Sequence, residues 1–152
     1  MQDKMIKKSA TLILIFLLIL CKAQLKKINV LIMIDEKPSL ITENLQLSSK
    51  SLEPIKANYI VGTIDLTEEN FTKFFNDNAA DFNLSFNTIL PKRNFASNYS
   101  IIIPKNFLKQ KYIIINIFNM DNKIYKRKYL KLIKNTKEYY VVIETPNSMK
   151  FD

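Results

Sequence analysis

Two small groups of carboxylates come nearest to acid–base chemistry: Asp65, Glu68 and Glu69, and further on Asp77 and Asp81. Paired carboxylates can cleave glycosidic bonds or hold calcium, but these have neither an aromatic sugar platform nor the regular ligand spacing of a calcium loop. They coincide instead with a helix start and a turn. The chain has no histidine, and its one cysteine, Cys21, stands near the N-terminus. Ser-His-Asp catalysis, Cys-His catalysis and the common zinc sites each need an imidazole or a thiolate, so these classes are excluded. Gly62 is the one glycine in the chain. Loops that cradle phosphates need several, so a nucleotide or dinucleotide site is not expected. The reading is of a non-enzyme with no catalytic residue, no metal and no cofactor.

Positive charge is the stronger signal. Lys105, Lys109, Lys111, Lys123, Lys126, Arg127, Lys128, Lys131, Lys134 and Lys137 crowd the C-terminal third, with Tyr125 and Tyr129 interleaved. Lysines commonly guard a sheet edge against aggregation. With exposed aromatics between them they can also meet an anionic surface. In strand register Tyr125, Arg127, Tyr129 and Lys131 share one face, so Tyr125, Lys126, Arg127, Lys128, Tyr129 and Lys131 form the candidate contact surface.

The first 23 residues set the compartment. Lys4, Lys7 and Lys8 precede an apolar run from Ala10 to Leu20, and the triplet Cys21, Lys22, Ala23 follows. This is the layout of a secretory signal peptide cut between Ala23 and Gln24. The apolar run is about half the roughly 20 residues a membrane-spanning helix needs. Acylation of Cys21, which would make the chain an anchored lipoprotein, is the alternative, although Leu20 is bulkier than the small residue such signals place before the cysteine. Removing residues 1–23 leaves 19 basic and 13 acidic side chains, a net charge of +6 against +9 for the whole chain. The remaining chain has no cysteine, so no disulfide can staple it, and it must be held by a hydrophobic core.

The elements follow from apolar spacing. Ile28, Val30, Ile32 and Ile34 alternate as a strand. Leu40 to Leu47 is a weaker strand, and Asn58 to Leu66 another, with Gly62 marking a bulge or a close backbone approach. Leu66 to Asn76 carries the one helical pattern, with Thr67 as N-cap, Glu68 and Glu69 in the first turn, and Phe71, Phe74 and Phe75 on one face. Phe82, Leu84 and Phe86 make a strand with one wet face, as do Tyr99, Ile101 and Ile103 up to Pro104. Asn106 to Gln110 is a connector that tucks Phe107 or Leu108 under the core. Tyr112 to Phe118 reads as the central, fully buried strand. Asn119 to Lys123 then predicts a hairpin turn, with Ile124 to Leu132 returning as a charged strand. Tyr139, Val141 and Ile143 form the last strand, and residues 145–152 a flexible tail.

Seven or eight short strands, one helix and no repeat predict an all-β domain over residues 24–144. The expected architecture is an antiparallel β-sandwich, immunoglobulin-like or transthyretin-like, with a small β-barrel as the alternative. Asn70, Asn83 and Asn98 each open an Asn-x-Ser/Thr sequon, which in so Asn-rich a chain is expected by chance.

The leader ending in Ala23 and Gln24, the Asn/Lys/Ile-rich composition, and the run from Tyr99 through Pro104, Leu108, Gln110, Tyr112 and Asn116 to Asn122, Lys123 and Tyr125 resemble small uncharacterised secreted proteins of Bacteroidota. The resemblance implies a Gram-negative envelope setting, periplasmic or extracellular, and brings no catalytic residues. The resulting expectation is an exported, non-enzymatic binding module that contacts an envelope protein or an anionic lipid or glycan surface, with no nucleic acid as partner and no transmembrane segment after cleavage. A structural accessory domain without a ligand is the second reading, and a carboxylate hydrolase the third.

Overall fold

A computed structural model describes residues 25–89, 96–129, 131 and 138–151. The leader, its Ala23–Gln24 junction, Cys21, Lys134 and Lys137 lie outside the described residues. The fold is all-β: two sheets pack in a sandwich-like arrangement, and the described strands do not close into a barrel.

Strand β1 (Leu25–Ile34) organises the larger sheet. It pairs antiparallel with β6 (Gly62–Thr67) on one side and parallel with β9 (Ile113–Asn119) on the other. Beyond β9 come β10 (Tyr139–Thr145) and the edge strand β11 (Ser148–Phe151), and beyond β6 comes β5 (Asn58–Ile60). The two-residue β2 (Lys37–Pro38) folds back on the end of β1. The smaller sheet runs β4 (Ile55–Lys56), β3 (Glu43–Ser48), β7 (Asp81–Ile89), β8 (Ala96–Pro104), all antiparallel. The expected central strand is central, with Ile113, Ile115 and Ile117 buried between two neighbours. A strand paired on both edges and covered on its inner face tolerates no charge, and this is why its sequence reads as a nearly continuous apolar run.

Alternation places Ile28, Val30, Ile32 and Ile34 of β1 opposite Leu45, Leu47, Leu84, Phe86, Ile101 and Ile103 of the smaller sheet in one core. The helix α1 (Glu68–Asn76) starts where expected: Thr67 accepts a hydrogen bond from the Asn70 amide at 3.3 Å. Its Phe74 is 1% exposed and meets the Phe82 ring edge-on at 5.1 Å, so α1 is anchored into the core. A 3₁₀ turn, Lys105–Lys109, buries both Phe107 and Leu108 as the connector pattern implied.

Several expectations are corrected. The sheets are not wholly antiparallel, because β1 and β9 run parallel. Strands number eleven among the described residues, against the expected seven or eight; the extra ones are two to four residues long. Asn58 to Leu66 is two strands, not one: Ile60 pairs with Thr63, so Val61 and Gly62 form a hairpin corner. Gly62 stands at φ 92°, and a Cβ there would meet nothing within 4 Å, so backbone freedom rather than close approach requires glycine. The tail is not frayed at 148–151, since Pro146 and Asn147 turn the chain and β11 pairs with β10. Lys150 ties that edge to the other sheet by donating to the Ile102 carbonyl at 2.9 Å. The largest correction is a second helix, α2 (Lys123–Tyr129), where a returning strand was expected.

Candidate functional site: a basic helix on an aromatic patch

Parity explains α2. The inner face of β9 takes Ile113, Ile115 and Ile117, which turns Phe118 outward; the inner face of β10 takes Val141 and Ile143, which turns Tyr140 and Val142 outward. Tyr140 and Phe118 are direct cross-strand partners. An aromatic patch on the outer side of the sheet needs cover, and a hairpin strand in the plane of the sheet could not supply it. The chain after β9 instead lays α2 over the face. Tyr125 and Tyr129, one helical turn apart, lie on this patch with Met120. The Phe118 ring lies 5.1 Å from that of Tyr125 and 4.9 Å from that of Tyr129, and Tyr129 stacks on Tyr140 at 4.7 Å.

The helix starts at Asn122. Its side-chain Oδ1 accepts from the Ile124 amide at 3.1 Å, and its carbonyl accepts from the Lys126 amide at 2.9 Å. The residue expected to turn a hairpin is thus an N-cap, a role that the short amide side chain serves equally well. Lys126, Arg127 and Lys128 fall in the last turn, where the helix dipole favours positive charge. The base of the helix is fixed from the β1–β2 corner. Asp35 and Glu36 both adopt left-handed backbone, with φ of 50° and 65°. This is the geometry of a two-residue hairpin matched to strand twist. The Asp35 carboxylate accepts from the amide and the side chain of Asn119, at 2.9 and 3.0 Å, and the buried Asn119 also accepts from the Tyr99 hydroxyl at 3.0 Å. These bonds offset the strain of a non-glycine corner.

Burial, with the negative charge of Glu36 and Asp35 beside it, raises the Tyr125 phenol above its ordinary value. Burial likewise raises Tyr140. The Lys128 ammonium lies 5.1 Å from the centre of the Tyr129 ring, and this neighbouring phenol is the chief influence that raises the Lys128 pKa.

The predicted contact residues are therefore brought together, but not as a strand face. Tyr125 is buried and Tyr129 half-buried, so they are the foot of the site rather than its surface. Lys126, Arg127, Lys128 and Lys131 are exposed, and Lys123 joins them. So does a residue that sequence reasoning passed over, Ile124, which is 72% exposed. The available signal was the four-residue spacing of Tyr125 and Tyr129, which leaves 123, 124, 127, 128 and 131 on the opposite side. Among the described residues Lys26 pairs with Glu68 and Lys73 with Glu69, whereas on α2 the charge of Glu36 acts on Lys128 without a close ion pair.

Glu68 and Glu69 are committed to Lys26 and Lys73, and the latter contact holds the Glu69 carboxyl below its usual range. Asp65 is buried on β6, and one of its oxygens makes no hydrogen bond. Asp77 accepts from the hydroxyls of Ser49 and Ser51, each at 2.5 Å, and these bonds keep its carboxyl below the usual range. No protein-family model, no curated protein and no solved structure matches this chain.

Proposed function

We propose that the protein is an exported, non-enzymatic module that adheres through α2 to an anionic surface of the cell envelope. The observation that carries this is the exposure of Lys123, Arg127, Lys128 and Lys131 on the same side of the segment as the protruding Ile124, with Lys126 exposed on the flank of α2. Cations that have no carboxylate partner are free to exchange water and counterions for phosphate or carboxylate groups. An exposed isoleucine among them adds an apolar anchor for the boundary between headgroup and acyl chain. No helix among the described residues is long and apolar enough to cross a membrane. The contact envisaged is therefore one that lies on the surface.

Each basic residue near an anionic bilayer is worth about 1 kcal/mol, so the five together supply at most roughly 5 kcal/mol. That corresponds to weak, reversible adhesion in about the millimolar to sub-millimolar range, strengthened by Ile124 and weakened by salt. The test is co-sedimentation with phosphatidylglycerol-rich vesicles. Lys126→Glu combined with Lys128→Glu is expected to lower adhesion at least tenfold while the thermal melt stays in place, because both side chains are exposed. Adhesion equal to that of the unaltered chain would sink the reading.

A further inference from the structure

The large apolar side chains that stand exposed are unevenly shared between the sheets. Among the described strands they are Leu25, Ile60, Met149 and Phe151 on the larger sheet and Ile102 alone on the smaller. Register gathers Ile60 with three more that belong to loops, Leu40, Ile41 and Val61. Strands β2 and β6 both run antiparallel to β1, on the edge that β9 leaves free. One reaches Pro38 opposite Met33, and the other begins at Gly62 opposite Val30. The change-over falls at Ile32, whose carbonyl accepts from the Ser39 amide at 2.8 Å and whose amide donates to the Tyr59 hydroxyl at 3.1 Å. Ser39 and Gly62 thus face positions of β1 two residues apart, a strand rise of about 7 Å. Leu40, Ile41, Ile60 and Val61 flank this gap as an aliphatic ridge.

The backbone beneath the ridge is held. The Ile41 carbonyl accepts from the hydroxyls of Thr88 at 2.8 Å and Ser39 at 3.3 Å, and Ile60 pairs with Thr63 across a corner whose positive φ is supplied by Gly62. Such turns are ordinarily filled by small polar residues. Here Leu40 is 76% exposed and Ile41 63%, so these side chains add little to the core. A cluster of aliphatic side chains presented on fixed backbone marks a contact site.

Its shape and chemistry select the partner. The ridge is four side chains wide, against roughly 20–30 residues a side for a stable protein contact, and it contains none of the aromatic or arginine anchors that dominate such contacts. Aliphatic tips need no complementary pocket in the hydrocarbon of a bilayer. The exposed charges next to it in sequence, Lys37 and Lys56 with Glu36 and Glu43, offset one another, so a preference for an anionic surface has to come from α2. The two are joined at the β1–β2 corner, where Asp35 binds Asn119 at the base of α2 and the chain reaches Leu40 five residues later.

We infer that the ridge inserts into the acyl region of the anionic bilayer that α2 meets. This rests on the adhesive reading of α2 and adds to it a component that salt does not screen.

The chain contains no tryptophan, so single substitutions supply clean reporters. Leu40→Trp, Ile124→Trp and Ile102→Trp, each in protein recovered from cells expressing the whole chain, are mixed with phosphatidylglycerol-rich vesicles whose acyl chains carry bromine, a contact quencher. Fluorescence from positions 40 and 124 is expected to be quenched, and that from 102 to be unaffected. In about 1 M salt, where charges are screened beyond about 3 Å, the parent should keep part of its adhesion, and Leu40→Ser with Ile41→Ser should lower that part at least tenfold. Quenching at 124 without quenching at 40 overturns the inference and leaves the α2 reading standing. Quenching at 40 with undiminished adhesion of the Lys126→Glu, Lys128→Glu variant removes the α2 reading and leaves the ridge. Quenching at neither position overturns both. A serine variant that adheres in high salt as the parent does, or that turns a dimer into a monomer with adhesion unchanged, overturns the inference equally.

Discussion

The two sheets meet through the same kind of residue and turn opposite kinds outward. On the larger sheet, β9 and β10 carry Phe118, Tyr140 and Val142 on the outer side, and the chain has to build α2 above them. On the smaller sheet, β7 and β8 carry Asn83, Ser85, Asn87, Asn98 and Ser100 on the outer side, and they need no cover. The difference shows that the inner face of a strand fixes its place in the sandwich, whereas the outer face decides what is built on it. An apolar outer patch recruits a layer, and that layer brings its own charged exterior. A polar outer face remains a flat surface for contact with water or a polar ligand.

The comparison can be broken at its largest scale from within. Ile115 is fully buried in β9, and Ile115→Asp would place an unpaired carboxylate where several kcal/mol of desolvation meets a total stability of about 5–15 kcal/mol. Loss of the cooperative melt is the expected outcome. A folded variant would show that the two sheets do not share one core.

A local effect should follow from Tyr140→Ala, which opens the outer patch and leaves the inner core intact. The expected cost is about 2–3 kcal/mol, at the lower end for a buried aromatic because the patch is shallow. Amide hydrogen exchange should quicken at residues 123–129 and stay slow in β7 and β8. Uniform acceleration across both sheets would mean that α2 is part of the main cooperative unit rather than a layer upon it.

The smallest effect belongs to the other side of the molecule. The carboxyl of Asp77 is depressed chiefly by the hydroxyls of Ser49 and Ser51. A carboxylate with a lowered folded-state pKa contributes its stabilisation above the unfolded value and loses it as the pH falls through the folded value. Ser51→Ala should therefore raise the Asp77 pKa toward that of an ordinary aspartate, as read by carboxyl ¹³C titration, and lower the melting temperature slightly at pH 7, with the difference from the parent vanishing as the pH falls through the folded-state pKa. A pKa that does not move would mean that the Ser51 hydroxyl does not hold the Asp77 carboxyl below its usual range.

The core was legible in the sequence because its signals are local. Alternating Ile28, Val30, Ile32 and Ile34, the run Ile113 to Ile117, and Phe82, Leu84, Phe86 each announce a strand by spacing alone. Thr67 with Glu68 and Glu69 announces α1 in the same way. What the sequence did not disclose depends on which side of a distant strand needs covering. Lys123 to Tyr129 satisfies both a strand alternation and a helical repeat, and nothing local decides between them. The decision comes from Phe118 pairing with Tyr140, a contact across 22 residues of sequence that creates the patch Tyr125 and Tyr129 then fill. For the same reason the basic residues were recognised as a group while their geometry was not. Ile124, the apolar centre of that group, becomes visible only once the segment is helical.

Hydrogen exchange of the protein bound to phosphatidylglycerol-rich vesicles, compared with the free protein, tests the account most directly. The expected result is slowed exchange over residues 123–131, unchanged exchange in β7 and β8, and loss of the effect in high salt. Slowing centred on the smaller sheet, or none anywhere while the protein sediments with the vesicles, would contradict the claim that α2 is the adhesive surface.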